Sequence, residues 1–264
     1  MNSENFKLKK KYGQNFISDK NLINKIVNSA NIDKSTLVIE IGPGKGALTI
    51  ELLKKCNHLI IYEIDNDLEI FLTEKLKNFD NYDIYFKDFL KADIKTDIKG
   101  INYKKFVIVS NLPYYITTQI IKKIIDSNID VDEMVLMLQK EVADRFCALP
   151  KSKEYGYMTV LLNYYFDIKK LFIVKKDMFV PKPEVDSCVI KLQKKSNVTL
   201  LKNNDTFINL IQKSFKFKRK TLRNNLRDFN LSIIEQILCK YNLSLNNRAE
   251  DIPLNVFIDI ANNL

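Results

Sequence analysis

Leu37-Val38-Ile39-Glu40-Ile41-Gly42-Pro43-Gly44-Lys45-Gly46-Ala47-Leu48-Thr49-Ile50-Glu51-Leu52-Leu53 is the stretch whose reading decides the fold. Its first five residues, apolar at all positions but one, make a buried-type strand. A glycine-rich loop follows, then a segment that reads as a helix. Strand, glycine loop and helix open a nucleotide-binding βαβ unit. Working outward, residues 59–65 read as a second strand, 67–79 as a helix, 82–88 as a third strand, 104–111 as a fourth and 134–138 as a fifth. Helices are expected from Thr117 or Thr118 as cap through Ile125, over 139–146, and over 159–166. Strands near 168–174 and 185–192 are expected to close the sheet as an antiparallel pair. The expectation is therefore an α/β, Rossmann-like domain with a mostly parallel sheet over residues 1–193, led by an arm over 1–20, and a small all-helical domain over 194–264.

The glycine loop alone leaves its ligand open, because Gly42-x-Gly44-x-x-Ala47 also fits a dinucleotide fingerprint. Glu40, Glu63 and Asp88 weigh against a pyrophosphate. Glu63 ends the second strand 21 residues after Gly42, where a carboxylate can accept from both ribose hydroxyls. Asp88 ends the third strand. An acidic surround repels pyrophosphate and suits a cation. The better-fitting ligand is S-adenosylmethionine (SAM), a sulfonium.

The fourth strand runs straight into Ser110-Asn111-Leu112-Pro113-Tyr114-Tyr115. Pro113 has no N–H to continue a central ladder and biases Leu112 to an extended backbone. A carboxamide, a main-chain carbonyl and an aromatic ring then stand together at a strand's carboxyl end, where open α/β sheets bind ligands. The Asn111 oxygen and the Leu112 carbonyl are two acceptors and Tyr114 is a flat face. That set suits a planar exocyclic amine on a base, although the tetrapeptide by itself also fits an ordinary strand-to-loop turn. Phe179, in Met178-Phe179-Val180-Pro181-Lys182-Pro183-Glu184-Val185-Asp186-Ser187, sits in a loop stiffened by two prolines. It is expected either to stack on the base opposite Tyr114 or to plug the core.

Composition removes several function classes. The 264 residues carry one histidine, His58, which argues against histidine-based hydrolysis and metal sites. Cys56, Cys147, Cys188 and Cys239 are widely spaced, as reduced thiols rather than metal ligands. No run of 18 apolar residues predicts a membrane span, and residues 1–11 read as neither a secretory signal nor a transit peptide. The net charge is +10. Much of it is general lysine richness, but the placement of arginine is not. Three of the five arginines, Arg219, Arg223 and Arg227, lie at spacings of four among Lys213, Lys216, Lys218 and Lys220, opposed only by Asp228. On one helix they would share a face, and such a stripe is suited to nucleic-acid phosphates. A solvated helix face is the plainer alternative.

Five segments occur in order: Gly13-Gln14-Asn15-Phe16, Glu40 to Gly46, Asn111-Leu112-Pro113-Tyr114, Gln139-Lys140-Glu141-Val142-Ala143-Asp144-Arg145, and Phe179-x-Pro181-x-Pro183-x-Val185-x-Ser187. With Ser152-Lys153-Glu154-Tyr155-Gly156, the chain resembles the small-subunit branch of the ribosomal RNA adenine N6-dimethyltransferases. The macrolide-resistance methyltransferases of the large subunit share several of these motifs. Tyr115 and Gln119 depart from the Asn and Pro that bacterial relatives often carry. The resemblance implies SAM-dependent dimethylation of two adjacent adenosines in a hairpin near the 3′ end of small-subunit rRNA, within a pre-ribosomal particle. It implies Asn111, Leu112, Pro113, Tyr114 and Phe179 at the target base. It implies Asn15, Ile17, Gly42, Gly44, Glu63, Asp88 and Asn111 at SAM, and Lys213, Lys216, Arg219, Lys220, Arg223 and Arg227 on RNA. A cytoplasmic monomer without a metal is expected. Large-subunit methylation conferring macrolide resistance, or a non-catalytic assembly or mitochondrial transcription factor of the same fold, are the alternatives.

Overall fold

A computed structural model describes residues 15–264. Gly13, Gln14 and the rest of the arm before Asn15 lie outside the described residues. The chain divides into two compact units, one of residues 1–143 and 169–193, the other of 144–168 and 194–264.

The first unit holds a seven-stranded sheet and a two-stranded one. In chain order its elements are β1 (Phe16–Ile17), α1 (Lys20–Ser29), β2 (Thr36–Ile41), α2 (Ala47–Lys55), β3 (His58–Glu63), α3 (Glu69–Leu76), β4 (Tyr82–Phe86), α4 (Ile94–Asp97), β5 (Lys105–Asn111), α5 (Thr117–Asp126) and β6 (Glu133–Gln139). After α6 (Lys140–Phe146) and α7 (Tyr157–Tyr165) come β7 (Phe166–Val174), β8 (Phe179–Val180) and β9 (Ser187–Lys194). The large sheet has the order β4-β3-β2-β5-β6-β9-β7. Pairs from β4 through β6 are parallel and β9 runs antiparallel to β6, as the sequence predicts. Every residue of β2 is buried, which explains why its sequence is apolar without alternation, Glu40 and Thr36 apart: a parallel strand covered on both faces has no solvent side to mark with polar residues.

The chain steps from β2 to β3 and β4 on one side, then returns to place β5 and β6 on the other. The direction of winding reverses between β2 and β5. At this topological switch point the carboxyl ends of adjacent strands diverge and leave a crevice. The glycine loop leaves β2 and Asn111 ends β5, so both stand at its mouth. The buried Ser110 hydroxyl closes the gap beneath by donating to Ile41 O at 2.5 Å. At the other end of the sheet, Glu133 is fully buried and accepts from Asn31 and from Lys105 and Lys191, each lysine at 3.1 Å. Two cations and an amide compensate a charge that burial alone would penalise heavily.

Two local expectations are corrected. No threonine caps α5; the cap is Ile116, and the Thr117 hydroxyl donates back to Pro113 O at 3.0 Å. The second unit begins again at residue 194 but also takes residues 144–168, which a single linear cut after residue 193 leaves in the first domain. The reason is α7, whose residues Met158 to Leu162 are all buried and so need apolar cover on every side.

The second unit is helical, built from α7, α8 (Asn204–Ser214), α9 (Leu222–Asn225), α10 (Leu231–Lys240) and α11 (Leu254–Asn263). Aromatic rings knit it together. Tyr164 lies 5.1 Å from Phe207, and Phe215 lies 6.0 Å from Phe257 and 5.9 Å from Tyr155.

Candidate active site

One cleft in the first unit is lined by Asn15, Ile17, Gly42, Gly44, Glu63, Asp88, Asn111, Leu112, Pro113 and Tyr114. Every expected cofactor residue, and every expected target-base residue except Phe179, is therefore brought to one place from five separate stretches of chain.

The loop from β2 turns by three left-handed glycines, Gly42, Gly44 and Gly46. Gly44 is the one that no other residue can replace: a Cβ there would lie 2.5 Å from the Phe16 ring. That ring is packed directly on the loop. Just before its strand, β1, comes Asn15, whose carbonyl accepts from the Asn111 side-chain nitrogen at 3.0 Å. The bond commits the amide's N–H and leaves its oxygen as the group available to a ligand. The Leu112 N–H is bound to Met137 O at 3.0 Å, and the Leu112 carbonyl comes after the last ladder pair, Asn111 with Met137.

Glu63 is buried at the end of β3, accepting from Gly44 N–H at 3.3 Å and Asp65 N–H at 2.9 Å. Burial raises its carboxyl above the usual range, against the pull of those N–H groups. Glu40 lines the same cleft, is 1% exposed, and one of its oxygens has no hydrogen bond among the described residues. Burial pushes it up to about 8. A buried, unpartnered carboxylate oxygen is costly unless something occupies the cleft to complete it. Asp88 caps the turn beyond β4 through Leu90 N–H at 2.9 Å.

Sequence reasoning missed several groups here. Lys45 and Lys87 also line the cleft, so its wall is less acidic than the motifs alone suggest. Lys87 is held by Asp97 at 2.8 Å and lies over the Tyr85 ring at 4.4 Å; Tyr62 also donates to Asp97 at 2.8 Å. Lys87 is visible beside Asp88, but its partner on α4 follows from tertiary structure only. The Tyr114 hydroxyl meets Ser187 Oγ at 2.5 Å, and burial raises its ionisation.

Phe179 stands apart from these residues. It is 2% exposed, belongs to the apolar core of the sheet, and is not among the residues lining the cleft. Pairing of β8 with β1, Phe179 opposite Ile17, turns its ring inward, while the next residue, Val180, is exposed. In this structure the ring packs in the core.

The basic segment is also not one helix. Helix α8 ends at Ser214, Arg219 lies in a turn, Arg223 in the four-residue α9, and Arg227 in a further turn. Backbone bonds from Leu222 N to Asn247 O and Arg223 N to Leu245 O, with a bridge between Thr221 and Arg248, pull the chain out of helix. The cations remain at the surface, except Lys213, which is half-buried. Lys213 pairs with Asp228 at 2.5 Å, Arg223 with Glu235 at 3.4 Å, and Arg227 with Asn224 at 2.9 Å.

A glycine loop and an acid at adjacent strand ends, beside Asn-Leu-Pro-Tyr at the switch point of a sheet closed by an antiparallel strand, define a Rossmann-like methyltransferase. The family model for ribosomal RNA adenine dimethylase matches residues 5–264, and the chain belongs to that family. It is 41% identical to ribosomal RNA small subunit methyltransferase A of Bacillus pumilus over 97% of this chain and 91% of that protein. It is 38% identical to the protein of the same name from Enterococcus faecalis, over 98% and 91%. Among solved structures it is similar to a dimethyladenosine transferase from Plasmodium falciparum, with a TM-score of 0.74 at 26% identity, over 93% of this chain and 95% of that one.

Proposed function

We propose that this chain uses SAM to dimethylate N6 of two adjacent adenosines in the 3′-terminal hairpin of small-subunit rRNA. It would act as a cytoplasmic monomer on a pre-ribosomal particle. The observation that carries the chemistry is the convergence of Asn111, Leu112 C=O and Tyr114 on the cleft that also holds Glu63 and the glycine loop. The choice of small-subunit RNA is supported by relatives at 38% and 41% identity that bear that name.

The cleft suits SAM. Glu63 can exchange its Gly44 N–H for ribose hydroxyls, Asp88 can take the adenine amine, and Glu40 brings an uncompensated oxygen toward the cationic end. When bound, SAM supplies an activated methyl on sulfonium. The rest belongs to the chain. An adenine N6 lone pair is delocalised into the ring and is a poor nucleophile. Accepting both its N–H groups, at the Asn111 oxygen and the Leu112 carbonyl, favours a pyramidal nitrogen with growing positive charge, stabilised where that charge develops. Tyr114 fixes the plane of the extruded base, and alignment supplies much of the remaining rate. No base needs to act beforehand, since the proton leaves from the cationic product. His58 takes no part: it is paired with Asp83 at 2.8 Å, at the opposite end of β3 from Glu63.

The test is transfer of labelled methyl from SAM onto small subunits lacking the modification and, in parallel, onto naked large-subunit RNA, followed by digestion and mass spectrometry of the nucleosides. N6,N6-dimethyladenosine at two neighbouring positions is expected. Label found only in large-subunit RNA, or in neither, overturns the reading.

A further inference from the structure

Ser187 closes the Phe179–Ser187 motif, and no part of the proposed chemistry uses it. It is the first residue of β9, opposite Gln139 at the end of β6, and is completely buried. A buried hydroxyl needs a partner. Its partner is the Tyr114 hydroxyl, at 2.5 Å, reached from 73 residues away along the chain. Tyr114 lines the cleft and no strand or long helix holds it; it begins a single turn of 3-10 helix after Pro113. An aromatic ring at such a place can swing about its side-chain bonds unless its far end is fixed. Both ends of this ring are fixed, one by the backbone turn and the other by Ser187.

We infer that Ser187 is a positioning residue for base methylation, holding the Tyr114 ring in the plane against which the target adenine stacks. This rests on the reading of Tyr114 as the stacking face. It gives the closing serine of that motif a role in the cleft. Ser187 would not touch the base, SAM or the reacting nitrogen.

The test is a double-mutant cycle on methylation of small subunits with S187A, Y114F and the pair. Each single change removes the same hydrogen bond, from opposite ends. A neutral hydrogen bond is worth roughly 0.5–1.5 kcal/mol, so each is expected to lower kcat by up to about tenfold, with SAM affinity by calorimetry unchanged. The double variant is expected to be no slower than the slower single one. Spectra of the ring-labelled tyrosines, with Y114F assigning the Tyr114 signal, should show that signal moved in S187A. Multiplied losses in the double variant, a normal kcat in Y114F, or an unmoved Tyr114 signal would each overturn the inference. Should S187A fail to fold, Y114F alone decides, by its kcat. Wild-type protein that fails to methylate small subunits refutes the functional reading instead, and the ring spectra then still test the anchoring.

Discussion

The cleft at the switch point and the basic segment between Lys213 and Asp228 are the two places where the sequence announces chemistry, and the structure treats them in opposite ways. In the cleft, functional groups are buried or half-buried and three of them are held by named partners: Asn111 by Asn15, Tyr114 by Ser187, Glu63 by Gly44 and Asp65. In the basic segment nearly all the cations stand in water on turns and a four-residue helix, and their ion-pair partners lie at the surface. On the proposed reading, the first region is preorganised to act on one atom. The second can adjust to an extended polyanion. Position matters in one, and total charge in the other.

If the contrast is correct, the largest single effect lies at Asn111. On the proposed reading, Asn111→Ala removes one of the two acceptors for the reacting amine. The expected loss is about 10²- to 10³-fold in kcat, on the scale of losing one oxyanion-type contact, with SAM still binding. Steady-state kinetics on small subunits checks it, and unchanged turnover would break the amine-acceptor reading. Next comes Glu63→Ala. A charge-assisted hydrogen bond is worth about 1.5–3 kcal/mol, so SAM affinity should fall by roughly 10- to 100-fold. Equal affinity by calorimetry would remove Glu63 from the ribose.

How much of each region was legible follows the same division. The cleft could be read because its chemistry sits at the ends of buried strands, and buried parallel strands mark themselves by apolar runs. Asn111, Glu63 and the glycines lie where those runs stop. What could not be read was anything set by pairing between distant segments. The inward turn of Phe179 is decided by Ile17, its partner in β1, and the bond from Ser187 to Tyr114 by the register of β9 on β6. The helical stripe of arginines failed for a related reason. A spacing of four is only a helical face if the backbone is helical, and Asn247 and Leu245 claim the N–H groups of Leu222 and Arg223.

Glu40 sharpens the contrast from the side of stability. Burial carries its carboxyl from an ordinary 4.5 up to about 8, with nearby Glu63 adding to the rise and Lys75 opposing it. Between those values the folded chain holds a proton that the unfolded chain gives up. Stability without SAM therefore falls as pH rises through this window. Glu40→Gln cannot titrate and should flatten the fall. The melting temperature of the variant is expected to gain on the wild type by a few degrees between about pH 5 and pH 8. Scanning calorimetry across that range checks it. Glu63, shifted in the same direction, leaves a residual slope in both proteins. Parallel curves would mean that Glu40 carries no strain.

The smallest effect belongs to the basic segment, and its size is the point. Arg223 is exposed and lies 3.4 Å from Glu235, a surface pair of the kind worth about 0–1 kcal/mol. Such a partner yields easily to a phosphate. Arg223→Ala should weaken RNA binding only a few-fold, because no single contact on a solvated surface dominates. Its signature is the salt dependence: losing one phosphate contact lowers the slope of log affinity against log salt by about 0.9 for duplex. Filter binding of small-subunit RNA at four or five salt concentrations measures it. An unchanged slope would make Arg223 a structural partner of Glu235 and narrow the RNA surface to the remaining cations. A loss as large as that at Asn111 would break the contrast itself, since it would show a preorganised contact where the structure displays only dispersed charge.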